Sequence, residues 1–135
     1  SEILYQSSPV GKYIFNYSKK ISKRYNNILE QAMKTKCSSK LFIFTYSDKS
    51  SSFTAELASE IRYHNPDKIV IIGREKENSV ILSIRSEKIE LPKKLETALQ
   101  GLEGYGGGHK FAVGAHIAKK DFPELIKRFK KVVLQ

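Results

Sequence analysis

The pattern of apolar and polar residues divides the first half of the chain into helical and strand-like segments. Residues 13–36 place apolar side chains every three or four positions, which predicts one long amphipathic helix. Residues 41–47 (LFIFTYS) and 68–73 (KIVIIG) are short apolar runs typical of buried strands. Between them, Phe53, Leu57 and Ile61 have the spacing of one helix face, and a Ser or Thr just before them offers an N-cap.

The second half continues in the same way. Residues 79–86 (SVILSIRS) predict a strand that forms a hairpin with the strand before it. Residues 90–102 predict a short helix entered through Pro92, and residues 111–117 predict another strand. Asp121 and Glu124 form a D-x-x-E start signal for a last helix.

These elements alternate in the order expected of an α/β layered domain. We predict a small mixed β-sheet of about four to five strands flanked by helices and preceded by the long amphipathic helix. The predicted division is a segment 1–38 carrying that helix and a domain 39–135.

The charge is segregated along the chain, and this changes the interpretation of a small α/β domain. Residues 1–40 carry eight Lys/Arg and two acids, residues 41–103 carry nine and ten, and residues 104–135 carry seven and two. The net excess of +10 therefore lies at the two ends of the chain. Concentrated positive charge attracts the phosphates of a polyanion, which favours nucleic acid or a nucleotide as ligand over a merely solvated surface.

The remaining composition narrows the class of protein. One cysteine, Cys37, cannot form a disulfide framework, and three scattered histidines do not give zinc-ligand spacing with it. No apolar run is long enough for a membrane span and no secretory signal is visible, so we expect a cytoplasmic protein and no membrane partner. The chain begins with Ser, which is compatible with a fragment of a longer protein.

The stretch GYGGGHKFAVG, from Gly104 to Gly114, is the most unusual feature. Three consecutive glycines carry a conformational cost, so a chain that keeps them has a use for a permissive backbone. Successive bare amides could form an anion-binding nest, to which His109 and Lys110 would add side-chain donors. A tight turn beneath a packed helix explains the same residues. The spacing fits neither a Rossmann nor a Walker phosphate loop.

A second candidate lies on the predicted strand 79–86. Side chains alternate between the faces of a strand, so Val80, Leu82 and Ile84 lie on one face while Ile81, Ser83 and Arg85 lie on the other. Such an arginine is most often solvated or paired with a nearby acid. The alternative is a phosphate-binding cluster of Arg85 with Ser83 and Ser86.

Hydrolytic chemistry has no recognisable machinery here. The acids are scattered, His64 and His116 are better explained as structural residues, and no nucleophile elbow is present. The chain has the features of a binding domain rather than of a catalytic one.

Residues 41–135 resemble a known family. The segments Gly107-Gly108-His109, Ala112-x-Gly114-Ala115 and Ser83-x-Arg85-Ser86 are similar to those of the DHH-associated domain, the C-terminal half of DHH-family phosphoesterases of the RecJ-like type. The resemblance implies a separate catalytic half with an Asp-His-His motif and two manganese ions. No D-H-H occurs in this sequence. The resemblance, without that motif, therefore implies that this chain holds no cofactor and does not hydrolyse a substrate on its own.

The same resemblance assigns roles to particular residues. It implies that Arg85 contacts a phosphate or sugar, that the amides of Gly106, Gly107 and Gly108 cradle the substrate, and that His109 points into the cleft. Lys110 stands where the family commonly has proline. Helix 13–36 would be the linker between the two halves.

We therefore expect a single-strand-binding domain of a RecJ-like exonuclease or phosphoesterase, whose full-length form would be a manganese-dependent 5′–3′ single-strand exonuclease acting in replication or repair. Tyr105 and Phe111 are possible stacking platforms. Backbone electrostatics would come from the exposed cations of the two terminal helices: Lys19, Lys20, Lys23, Arg24, Lys127, Lys130 and Lys131. Single-stranded DNA or RNA is the expected partner. The alternatives are a replisome module bound to GINS or another replisome protein, and the substrate-binding half of a nanoRNase or cyclic-dinucleotide phosphodiesterase.

Overall fold

The computed structural model describes residues 9–37, 39–48 and 52–134 and divides into two compact units between Lys34 and Thr35. Residues 1–8 and 38 of the predicted N-terminal segment lie outside the described residues. The Ser or Thr N-cap predicted for the helix that begins at Thr54 is wrong, because Phe53 occupies the N-cap position and makes no side-chain cap hydrogen bond.

In the described part of the first unit, Pro9–Met33 forms one long helix, α1. It begins four residues earlier than predicted, because a proline is well tolerated in the first turn, where its missing N–H has no helical partner. The predicted basic positions Lys19, Lys20 and Lys23 are exposed. Among the described helices, none combines the length and the hydropathy needed to cross a bilayer.

The second unit contains a five-stranded sheet and three α-helices. In chain order these are β1 (Leu41–Ser47), α2 (Thr54–His64), β2 (Ile69–Glu75), β3 (Ser79–Arg85), α3 (Pro92–Leu99), β4 (Gly104–His109), β5 (Ala112–Ala118) and α4 (Phe122–Val133). A short 3₁₀ turn at Lys119–Asp121 precedes α4.

The strands lie in the order β1-β2-β3-β5-β4. β1 and β2 are parallel, as a strand–helix–strand crossover requires, and all other neighbours are antiparallel. The predicted hairpin is β2–β3. The predicted fold class, a small mixed α/β sheet with a long preceding helix, is confirmed.

The two faces of the sheet are covered differently. Val80, Leu82 and Ile84 of β3 belong to a continuous core with α3 and α4, which includes Leu95 and Phe129. On the opposite face, α2 packs against β2 and β3 and buries Leu57 and Ile61. The predicted alternation along β3 is correct.

The glycine stretch is not the tight turn considered from the sequence, because Gly104–His109 forms the edge strand β4. An added Cβ on Gly106 would lie 2.6 Å from the Gly114 carbonyl oxygen, and one on Gly108 would lie 2.5 Å from that of Ala112. Gly108 also has a φ of 153°. These glycines are therefore required by the close approach of β4 to β5, which propensity alone does not reveal.

The predicted start of α4 is correct, but the side chain of Asp121 does not cap the helix. Asp121 occupies the N-cap position and makes no side-chain cap bond. Its carboxylate instead accepts the backbone N–H of Glu103 at 2.9 Å, which ties the segment before β4 to the start of α4.

Candidate functional site

One half of the sheet face that carries α2 is open. Directly opposed residues in antiparallel strands lie on the same face, so Arg85, Ala112 and His109 form one row across β3, β5 and β4. Ser83, Gly114 and Gly107 form the next row, and Ile81, His116 and Tyr105 form the third. Tyr105, Gly107 and His109 are exposed, since α2 packs over β2 and β3.

Arg85 is held at one end of this open face by backbone acceptors. Its Nη1 donates to the carbonyls of Ile84 at 3.0 Å and Val113 at 3.3 Å. Its Nε and Nη2 groups have no hydrogen bond within the described residues. Two of its five N–H donors thus orient the guanidinium, and the rest remain available to an anion.

The electrostatic surroundings of Arg85 also favour an anion. Burial lowers the pKa of the Arg85 guanidinium from its ordinary value, the like charge of Arg62 on α2 lowers it further, and Glu56 opposes this shift. The Nε of Arg62 is buried and has no hydrogen-bond partner within the described chain. A phosphate beside Arg85 would relieve the repulsion between the two guanidinium groups.

His109 lies across the sheet from Arg85, with only Ala112 between them. Adjacent strands are about 4.8 Å apart, so the two Cα positions are separated by roughly 10 Å. The small side chain of Ala112 leaves the space between Arg85 and His109 open. The side chains of Arg85 and His109 can therefore contact one phosphate group from opposite sides.

The two predicted serines do not belong to the open site. Ser83 is buried and its hydroxyl donates to Thr54 Oγ1 at 2.9 Å, tying β3 to the first turn of α2. Ser86 is buried and its hydroxyl donates to the Ile89 carbonyl. Because both hydroxyls are engaged within the protein, the phosphate-donor role predicted for them does not fit the structure.

The three glycine amides cannot converge as the predicted nest requires. The Ala118 N–H donates to the Glu103 carbonyl at 2.8 Å, and continuing the antiparallel alternation from this pair places the Gly107 amide in the ladder with β5. The amides of Gly106 and Gly108 then point to the open edge of the sheet. Two separated amides, not three adjacent ones, are available to a ligand.

Lys110 and Phe111 form the turn between β4 and β5. Lys110 makes an ion pair with Glu90 at 3.4 Å, and its carbonyl accepts the Leu91 N–H at 2.7 Å. Phe111 is half-buried and its carbonyl accepts the Ser86 N–H. The turn is tied to the segment before α3, so these residues support the position of His109.

The predicted basic residues are not brought together with Arg85. Lys127, Lys130 and Lys131 are exposed on α4, in the layer on the other side of the sheet. Lys19, Lys20, Lys23 and Arg24 lie on α1 in the first unit, where Lys19, Lys20 and Lys23 border a common hollow.

Sequence patterns missed four residues near the open face. Arg62 and Glu56 come from α2, and His116 and Lys76 line a groove beside Tyr105. The packing of α2 on the sheet brings Arg62 and Glu56 near Arg85, and the strand order brings His116 near Tyr105. The alternation of β5 was the available signal for His116, because it places His116 on the face of Gly114 rather than that of Ala115.

The donor groups of this face decide what kind of ion it suits. Among the described residues, no group of three or more His, Cys, Asp or Glu side chains is placed to hold a metal ion. The guanidinium groups of Arg85 and Arg62 on this face suit an anionic ligand.

This architecture defines a layered α/β domain with a small basic site on a half-open sheet. Comparison with family models matches residues 38–135 to the DHHA1 domain. The chain belongs to the DHHA1 domain family, and the resemblance predicted from its motifs is confirmed. A search of curated proteins finds no match.

Solved structures share this fold at low sequence identity. RecJ from Thermus thermophilus, in complex with Mg²⁺, is 17% identical with a TM-score of 0.72; the match covers 91% of this chain and 19% of that one. The C-Ala domain of alanyl-tRNA synthetase from Aquifex aeolicus is 23% identical with a TM-score of 0.57, covering 68% and 88%. The pGpG-specific phosphodiesterase PggH from Vibrio cholerae is 14% identical with a TM-score of 0.59, covering 95% and 44%.

Proposed function

We propose that this chain is the substrate-binding part of a RecJ-like DHH-family phosphoesterase and that its ligand is single-stranded nucleic acid. The observation that carries the proposal is the row formed by Arg85 and His109 on the open sheet face, with Ala112 between them. Guanidinium and imidazole N–H groups there suit a phosphate oxygen.

The charge of the domain supports the same ligand. Arg62, Arg85 and Lys76 contribute positive charge around the open face, where the carboxylate of Glu56 opposes them. The total net charge of +10 adds a long-range attraction for polyanions. In this proposal, hydrolysis and its manganese ions belong to a separate catalytic domain, since RecJ is a longer chain of which this one covers 19%.

Removal of Arg85 tests the proposal directly. We expect Arg85→Ala to weaken binding of a single-stranded DNA oligomer by about 2 kcal/mol, roughly thirtyfold, because a charge-assisted hydrogen bond to phosphate is lost. His109→Ala should cost less, roughly threefold to tenfold, as one neutral hydrogen bond is removed. Fluorescence anisotropy titrations at several salt concentrations measure both effects.

The matched control is Lys127→Ala, which removes the same charge from the opposite layer. It should change affinity much less than Arg85→Ala. Each lost phosphate contact should also reduce the slope of log K against log salt by about 0.7. Wild-type affinity that is independent of salt, or an Arg85→Ala variant that binds as the wild type does, would contradict the proposal.

A small nucleotide is the second candidate ligand, favoured by the structural likeness to PggH over 95% of the chain. The same titration with pGpG and with single-stranded RNA separates these ligands. Tighter binding of pGpG than of the oligomers would identify a small-nucleotide domain. Capture of a replisome protein such as GINS without any nucleic-acid binding would instead support the interaction module.

A further inference from the structure

A groove of about 490 Å³ lies on the open face, at the far end from Arg85. Its lining includes the side chains of the third row, Ile81, His116 and Tyr105, together with Lys76 and the bare backbone of Gly107 and Gly114. The groove is therefore largely apolar and aromatic, with a cation at its border. This lining differs from the end of the face that carries Arg85, so it suits a less charged part of a ligand.

The aromatic pair is arranged to leave one ring available. Tyr105 and His116 meet edge to face, with ring centroids 5.5 Å apart and an interplanar angle of 69°. Tyr105 remains 70% exposed although it is a large aromatic on a strand. The rings are not stacked on each other, so the contact orients the phenol ring while most of its surface stays exposed. A planar partner can therefore stack on Tyr105 without displacing any side chain in the described structure.

The floor between the two ends of the face is unusually bare. Gly107 and Gly114 oppose each other in the middle row, and an added Cβ on Gly107 would meet nothing within 4 Å. Four residues of extended strand separate the row of Arg85 from the row of Tyr105, a distance of about 13 Å. A ligand can lie along this floor and reach both ends at once.

We propose that the groove at Tyr105 and His116 is a nucleobase subsite. It would receive the base of a nucleotide next to the one whose phosphate lies at Arg85 and His109. This inference rests on the proposed function and adds a second, uncharged contact to it. Because stacking uses the π-face that every base has, the subsite should tolerate different bases.

The key variants change one ring. Tyr105→Leu removes the aromatic face, and Tyr105→Phe is the matched control that keeps it. We expect Tyr105→Leu to weaken binding of an oligothymidylate about tenfold and Tyr105→Phe to change it less than twofold. Tyr105 is exposed, so both variants should fold, which a thermal melt followed by circular dichroism checks.

An oligomer that lacks a single base can show which nucleotide contacts the groove. An oligothymidylate with a single abasic residue, moved along the chain, should bind wild-type protein about tenfold more weakly at one position. The same abasic substitution should have little effect on Tyr105→Leu, because the lost contact is the same one. The subsite would be overturned if the affinity losses from Tyr105→Leu and from the abasic substitution were additive, or if the abasic loss were the same at every position.

Adenosine tests the subsite without any phosphate. In NMR titrations at millimolar concentration, the ring protons of His116 should shift in the wild type and in Tyr105→Phe and should stay unchanged in Tyr105→Leu. His64, exposed beside Tyr63 at the end of α2, is the internal control.

The two proposals fail in different ways. Salt-dependent oligomer binding with no effect of Tyr105→Leu and no adenosine shift would overturn the subsite and leave the proposed function standing. An adenosine shift at His116 without any binding of oligomers or pGpG would support the base contact and overturn the proposed phosphate ligand. No binding of any of these probes would overturn both.

Discussion

The surroundings of Arg85 favour a bound anion. Two backbone carbonyls hold its guanidinium in place, and a second arginine from α2 adds like charge beside it. A half-buried cation beside another cation raises the free energy of the unliganded domain. An anion that binds there recovers part of that free energy, so the arrangement favours binding over stability.

The glycines of β4 are not equivalent, which gives a prediction at the residue scale. We expect Gly106→Ala to destabilise the domain by about 1–3 kcal/mol, because the new methyl group would overlap the Gly114 carbonyl oxygen. Gly107→Ala should be neutral or slightly stabilising, since its Cβ position is open. Urea unfolding measures the difference.

The variants Gly106→Ala and Gly107→Ala also distinguish an effect on stability from an effect on binding. Gly107→Ala places a methyl group on the floor between Arg85 and Tyr105, so affinity for the oligomer should fall while stability does not. Equal stability of the two alanine variants would show that β4 does not need its close approach to β5.

At the scale of elements, continuous apolar runs were sufficient to predict four of the five strands. β1 was predicted with its observed bounds, because a short apolar and aromatic run between polar residues has few alternatives. β4 was missed as a strand because glycine has low strand propensity and the strand buries no side chain. Its pairing with β5 determines its conformation, and pairing is not visible in local sequence.

The candidate site could likewise be predicted from the sequence only in part. Strand alternation correctly placed Ser83 and Arg85 on one face, but the burial of Ser83 depends on α2 packing over it. Arg62 lies on α2, for which the sequence predicted only an apolar face that packs on the sheet. Whether a polar side chain is available depends on which element covers it, so the available donors could not be separated from the buried ones by sequence.

The lysines of α4 give a prediction at the element scale. Lys127, Lys130 and Lys131 lie in the layer opposite the open face. Changing all three to Gln should therefore reduce affinity mainly at low salt, through the general field of the domain. We expect a smaller loss than for Arg85→Ala at about 0.15 M salt, measured by the same anisotropy titration. A larger loss would place the nucleic acid on α4 instead.

At the scale of the whole molecule, the main core is contained in the second unit. Its buried members all lie between Leu41 and Val133, in the sheet, α3, α4 and the segment entering α3. A shortened chain of residues 35–135 should therefore unfold in one cooperative transition, followed by circular dichroism on heating. A broad, non-cooperative melt of this chain would show that the second unit depends on the first.

The shortened chain also addresses the basic residues of α1. If the proposed function is correct, it should keep most of its affinity, since Arg85, His109 and Tyr105 are all present. Loss of binding with an intact fold would assign the main contact to Lys19, Lys20, Lys23 and Arg24.

The edge strand β4 has a consequence for how copies of the protein behave towards each other. Within the described part of the chain it ends the sheet with exposed, uncharged backbone, and no lysine or proline blocks its open side. Natural sheets protect such edges against pairing with another strand. Here the protection is collective, because a net charge of +10 repels a second copy. Solubility should therefore depend on ionic strength, and neutralisation of that charge by a polyanion brings unprotected edges within reach of one another.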